Sequence, residues 1–201
     1  MHPYQIDEIA YRYKILLAIV FSAIAAYLLN TIVQYFSLVI PWWIDMPSVL
    51  GFFGFFIWLY DNYLWKTRLI QKLKWMRIPN LSGLWETEMK TSQDNFITPI
   101  LGQITIRQTA SKILIALETN SSTSASIIGA IIRAEKLSEY ELTYYFRNEP
   151  KAESLTSLQI HYGTASFRIS DDTSLLEGEY YTGRNRQTFG SVKAKLIKDS
   201  D

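Results

Sequence analysis

The chain has 201 residues, with 20 Lys and Arg against 19 Asp and Glu, a formal net charge of +1. That balance argues against a DNA or RNA polymer as partner, because polymer binding rests on a basic excess. There is no cysteine and there are two histidines, His2 and His161. Disulfides, thiolate nucleophiles and Cys-rich zinc sites are excluded, a reducing compartment is suited, and a His-based metal cluster is nearly excluded. No P-loop, Gly-x-Ser-x-Gly elbow or His-Glu-x-x-His helix occurs, and no nucleophile–base pair is visible. The expectation is a protein that binds rather than catalyses, with no metal and no cofactor.

No Lys or Arg lies between Lys14 and Lys66. Two apolar runs fill this stretch, Ile15–Ile40 and Ile44–Trp65, separated by a turn over 41–47 that holds Pro41 and Pro47. About 20 apolar residues suffice to cross a bilayer, and soluble helices keep a polar stripe that these runs lack. The first run is too long for the core of a signal peptide, and a second span follows it. Arg12 and Lys14 precede the hairpin, and Lys66, Arg68, Lys72, Lys74 and Arg77 follow it. By the positive-inside rule both termini are expected in the cytoplasm. Trp42 and Trp43 at one end, and Tyr11, Tyr13, Tyr63 and Trp65 at the other, suit the two interfacial belts. Asp61 is expected to pair with Lys66 or the Trp65 N–H, or to meet a neighbouring subunit. Gly51 and Gly54 permit close helix approach.

From Leu81 onward the period changes to two. Eight strands are read: 82–91, 99–108, 111–119, 123–134, 139–148, 156–170, 174–183 and 188–197. They are short, evenly spaced and separated by turn residues such as Asn148-Glu149-Pro150 and Ser170-Asp171-Asp172. The domains expected are an N-terminal segment 1–14, a transmembrane hairpin 15–65, a basic linker 66–79 and a barrel 80–201. The fold class is a two-helix membrane hairpin followed by an all-β, eight-stranded antiparallel up-and-down barrel.

Alternation assigns the inner face. Apolar residues such as Ile104, Ile113, Ile115, Leu142, Phe146 and Val192 form ordinary core. The fourth strand stays ambiguous, because Ile127, Ile128, Ile131 and Ile132 occupy both faces. Polar and amphipathic groups also point inward: Trp85, Gln108, Tyr144, Asn148, His161, Tyr180 and Thr182, with Arg184 and Arg186 beside the last turn. Buried without partners they would cost roughly 1–3 kcal/mol each. They therefore bond one another or line a wet mouth. Aromatic faces stack on bases and guanidinium pairs with phosphate, so this set suits a ligand carrying two bases and two phosphates. An eight-stranded barrel holds one small ligand.

Several short motifs follow the hairpin in order: Leu81-Ser82-Gly83-Leu84-Trp85, Gln108-Thr109, Ser121-Ser122-Thr123-Ser124, Tyr144–Pro150, His161-Tyr162-Gly163-Thr164, and Leu176–Arg184. Taken together, the chain resembles the SMODS-associating two-transmembrane, β-strand-rich effectors of bacterial CBASS antiphage systems. The resemblance covers nearly the whole chain. It implies that a CD-NTase-type nucleotidyltransferase supplies a cyclic oligonucleotide, usually a cyclic dinucleotide. The barrel binds it, copies self-associate, and the lipid bilayer loses integrity, so the cell dies or stops growing before phage spread. The alternatives are a lipocalin-like binder of a lipid or apolar metabolite, with a dry interior, and a passive interaction module using an exposed strand.

Overall fold

The computed structural model describes residues 1–6, 8–37, 42–73, 77–133, 140–154, 159–183 and 186–199. The chain divides into two units: Met1–Asp7 with Pro79–Asp201, and Glu8–Ile78.

The second unit is helical. Helix α1 (Glu8–Tyr35) is followed by α2 (Trp42–Asn62), and a short α3 (Arg68–Lys72) comes after a single 3-10 turn. Phe21 meets Phe56 with ring centroids 5.7 Å apart, and Lys14 lies 3.6 Å from Asp61. Rising positions on α1 thus meet falling positions on α2, so the two helices run antiparallel. Among the described residues α1 is the one helix long and apolar enough by itself to cross a membrane, and the apolar part of α2, Val49–Asn62, is shorter. Helix α2 starts at Trp42, inside the stretch expected as a turn. The belt positions Trp42 and Trp43 have no described side chains.

Two expectations about charge are corrected here. Lys14 was read as a flanking cation and Asp61 as the partner of Lys66 or Trp65. Instead Lys14 is buried on α1, paired with Asp61, and its ammonium sits 5.8 Å from the centre of the Tyr60 ring. A short lateral distance between two facing helices wins over one helical turn along the chain. Gly51 and Gly54 face open space, so neither contacts α1.

Among the described residues the first unit is a sheet of nine strands: β1 (His2–Gln5), β2 (Gly83–Thr91), β3 (Ile100–Gln108), β4 (Lys112–Thr119), β5 (Ser122–Arg133), β6 (Tyr140–Pro150), β7 (His161–Ile169), β8 (Leu175–Thr182) and β9 (Phe189–Asp199). Strands β2 to β9 correspond to the eight expected from the sequence, with most ends shifted by one or two residues. The expected start of the sixth at 156 is too early, since described residues 159 and 160 are not in a strand and β7 begins at His161. Expected positions 134, 139 and 156–158 lie outside the described residues. Each pairs antiparallel with the next, and β2 pairs antiparallel with β9. The sheet closes as a barrel in the order β1-β4-β3-β2-β9-β8-β7-β6-β5.

The ninth strand corrects the all-antiparallel, eight-stranded reading. β1 pairs antiparallel with β4 (His2 with Ile113, Pro3 with Lys112) and parallel with β5 (Tyr4 with Gly129, Gln5 with Ala130). Four residues were too few to show a period, and they precede a helical run. The ambiguity of β5 also has a cause. Its pairing with β6 slips between Ser126 and Ile128. Ser124 and Ser126 face inward before the slip, Gly129 and Ile131 after it, and Ile127 and Ile128 are both exposed. A bulge inserts one unpaired residue and flips the alternation beyond it.

The core runs from Tyr4, Leu81 and Trp85 through Ile104, Ile113, Leu142 and Phe167 to Val192. One end is sealed. Trp85 is fully buried and its indole N–H donates to the Leu81 carbonyl at 3.0 Å. The Gln108 carboxamide accepts from the Leu81 N–H at 2.8 Å and donates to the Tyr4 hydroxyl at 3.0 Å and the Pro79 carbonyl at 3.1 Å.

Candidate functional site

The other end is open. Here the barrel holds a cavity of about 100 Å³. Its lining has two chemistries. The inner part is apolar, with Met89, Ile104, Leu117, Phe146, Phe167 and Val192; the mouth is polar, with Ser122, Ser124, Asn148, His161, Thr182, Arg186 and Thr188.

The sheet register explains why the space exists. Ser124 pairs with Asn148 and Asn148 with His161, which makes one row across three strands. Tyr144 pairs with Ala165, Ala165 with Tyr180, and Tyr180 with Gly190. Phe146 pairs with Gly163, and Gly163 with Thr182. In the second row large rings alternate with Ala and Gly, and in the third Phe146 sits beside Gly163. Gly190 is a position where only hydrogen fits: a Cβ there would lie 2.0 Å from the Lys90 carbonyl oxygen and 2.5 Å from the Tyr180 ring.

The Tyr144 and Phe167 rings stack with centroids 5.9 Å apart and 12° between planes. Burial pushes the Tyr144 hydroxyl well above the ordinary tyrosine pKa, so it stays protonated and can donate. Asn148 is only 7% exposed. It lies on the cavity wall, so its carboxamide can offer two donors and an acceptor to a ligand there.

At the mouth His161 bonds the Gln159 carbonyl through Nδ1 at 2.9 Å. Burial lowers its pKa, and the nearby Arg186 charge lowers it further, against the opposing effect of that backbone bond. Arg186 donates to Gln93 Oε1 at 3.0 Å. Thr182 and Thr188 hydroxyls meet at 2.8 Å and tie the turn between β8 and β9. An anion at this mouth would satisfy Arg186 and relieve the repulsion that adds to burial in lowering the His161 pKa.

Of the residues singled out in the sequence, the cavity brings together Tyr144, Asn148, His161, Tyr180, Thr182 and Arg186. Trp85 and Gln108 do not belong with them. They point inward as alternation demanded, but at the sealed end, where their polar atoms are consumed by the bonds above. Arg184 lies outside the described residues. Alternation puts Met89, Thr119 and Phe167 on the inner face without marking them as lining, and Ser122, Ser124 and Thr188 were missed. The Ser-rich turn at 121–124 was a usable signal; the depth of each inward residue along the barrel axis was not, because alternation gives side but not height.

Residues 76–196 match the family described as Cap15, cyclic dinucleotide receptor domain. The chain is also 34% identical over 149 residues to CD-NTase-associated protein 15 of Yersinia aleksiciae, covering 73% of this chain and 68% of the relative. The matched region contains β2 to β8, most of β9 and every described residue named at the cavity. The chain belongs to the Cap15 cyclic dinucleotide receptor family, which upholds the resemblance to CBASS effectors read from its sequence.

Proposed function

We propose that the open end of the barrel is the receptor for a cyclic dinucleotide, and that occupancy drives copies of this chain to assemble through their helical units in the inner membrane. A neighbouring nucleotidyltransferase of the CD-NTase type supplies the ligand after phage infection. Assembly then breaches the bilayer, and the cell dies or stops growing. The hairpin spans the membrane twice with both termini and the barrel on the cytoplasmic side. The basic residues flanking the hairpin and the antiparallel pairing of α1 with α2 support this reading.

The observation that carries this reading is the split character of the cavity: stacked rings within, and Arg186 with a proton-poor His161 at the rim. Rings take bases and the cationic rim takes phosphates. Ligand pockets commonly run to about 300–1,000 Å³, more than this cavity offers. The ligand therefore enters with one base and keeps its phosphates at the mouth.

Binding linked to assembly needs only that ligand prefers the assembled form. The test is calorimetric titration of the full chain in nanodiscs with cyclic di- and trinucleotides, followed by dye release from liposomes. Binding without assembly or leakage would confine the protein to sensing. The apolar inner wall favours one rival, an apolar metabolite, so fatty acids form a further arm. Heat with fatty acids and none with any cyclic nucleotide would replace the first reading by the second.

A further inference from the structure

Strand β1 is not part of the meander. It fills a slot that opens where β4 and β5 part. Those strands pair with each other only from Ala116–Glu118 to Thr123–Ala125. Beyond that, Lys112 and Ile113 turn to Pro3 and His2, while Gly129 and Ala130 turn to Tyr4 and Gln5.

The slot is fitted to its occupant. Tyr4 is buried in the core cluster, and its hydroxyl donates to the Thr109 carbonyl at 3.2 Å while accepting from Gln108. His2 Nε2 lies 2.8 Å from the Ser126 hydroxyl. Emptied, the slot would leave two unpaired edges and a hole in the core, the situation that recruits a foreign strand.

Nothing local holds β1 in its own barrel. Between Gln5 and the start of β2 at Gly83 the chain runs through the whole helical unit. The entropy of closing so long a loop depends only weakly on its length. Every backbone pair and the Tyr4 anchor would form equally well if the strand came from another molecule. We propose that the slot between β4 and β5 is an acceptor site for residues His2–Gln5 of a second copy, so that neighbouring barrels can be linked by exchange of β1. Because the contacts are identical, local concentration decides which copy supplies the strand. Crowding in a bilayer favours exchange whatever causes it. The inference meets the proposed function at self-association but does not depend on the ligand.

The absence of cysteine makes the test clean. Pro3 and Lys112 are Cα partners and both are exposed. Full-length chains carrying Pro3→Cys and Lys112→Cys, differently tagged, are co-reconstituted in phosphatidylcholine–phosphatidylglycerol vesicles at rising protein-to-lipid ratios and oxidised. Pro3→Cys with Lys195→Cys, on a distant strand, is the control. A chain carrying both Pro3→Cys and Lys112→Cys reports slot occupancy by an internal disulfide. The expected result is that internal disulfide, together with a mixed dimer at least tenfold above control that grows with crowding. An internal disulfide with mixed dimer no higher than control at every ratio would overturn exchange. No disulfide in either case would overturn the slot itself. Neither failure touches the ligand reading, which is decided by calorimetry.

Discussion

Asn148 is a side chain whose structural and binding roles separate cleanly. Asn148 lines the cavity and closes no bond network of the core, so Asn148→Ala should change thermal stability by no more than about 1 kcal/mol. Cyclic dinucleotide affinity should fall about tenfold, the loss of roughly 1.4 kcal/mol, measured by calorimetry on the full chain. Gln108 predicts the reverse. Its three bonds close the sealed end, so Gln108→Ala should cost about 1–3 kcal/mol of stability with binding intact, read from denaturant melts beside the same titration. His161 carries a pH signature. Its folded pKa lies below the ordinary histidine value, so the unfolded chain holds the proton more tightly. Its contribution to stability is complete above about pH 6.5 and declines as pH falls toward the folded pKa. A bound phosphate reverses the local field and raises that pKa. Affinity should therefore strengthen from pH 8 to pH 6, and His161→Gln should flatten the profile. The sequence revealed that these three side chains face inward. It could not tell Gln108 at the sealed end from Asn148 at the open one, because their inward periodicity is the same and only register sets their height.

Strands were more legible than helices. β2 to β9 follow period two over eight to twelve residues each, long enough for alternation to speak, and their turns carry Asp, Asn, Ser and Gly. β5 resisted because its bulge changes the inward set in mid-strand, and a bulge leaves no mark in composition. On the helical side, uniform apolarity shows that segments are buried in something but hides which face meets which, so the Lys14–Asp61 pair could not be found from spacing. That pair makes a prediction at the level of two packed helices. Removing one partner of a buried pair costs about 3–5 kcal/mol, whereas replacing both by apolar groups is often neutral. Asp61→Asn should loosen the α1–α2 pairing, and Lys14→Met with Asp61→Leu should restore it, followed by protease protection of the helical unit in nanodiscs.

At the scale of the whole molecule, β1 ties the start of the chain to strands more than 100 residues later. Cutting the protein at the apparent domain boundary therefore damages the barrel. A fragment beginning at residue 79 keeps the meander but loses Tyr4, and loss of a buried aromatic side chain costs about 3–5 kcal/mol. It should melt lower than the full chain and associate through the vacated slot, visible by differential scanning calorimetry and size-exclusion chromatography. Division into a helical segment and a barrel was legible because composition changes sharply at Leu81. The return of the first residues to the barrel was not, since proximity across a long loop leaves no periodic trace. The same feature sets an order of events during synthesis. Residues 2–5 leave the ribosome before their partners on β4 and β5, which emerge only after both apolar helices. The barrel can seal only once the helices have been made, and contacts so distant in sequence form slowly. A newly made copy thus spends its early life with β1 loose and its slot empty. Biogenesis itself supplies the window in which a chain takes up its own strand or a neighbour's.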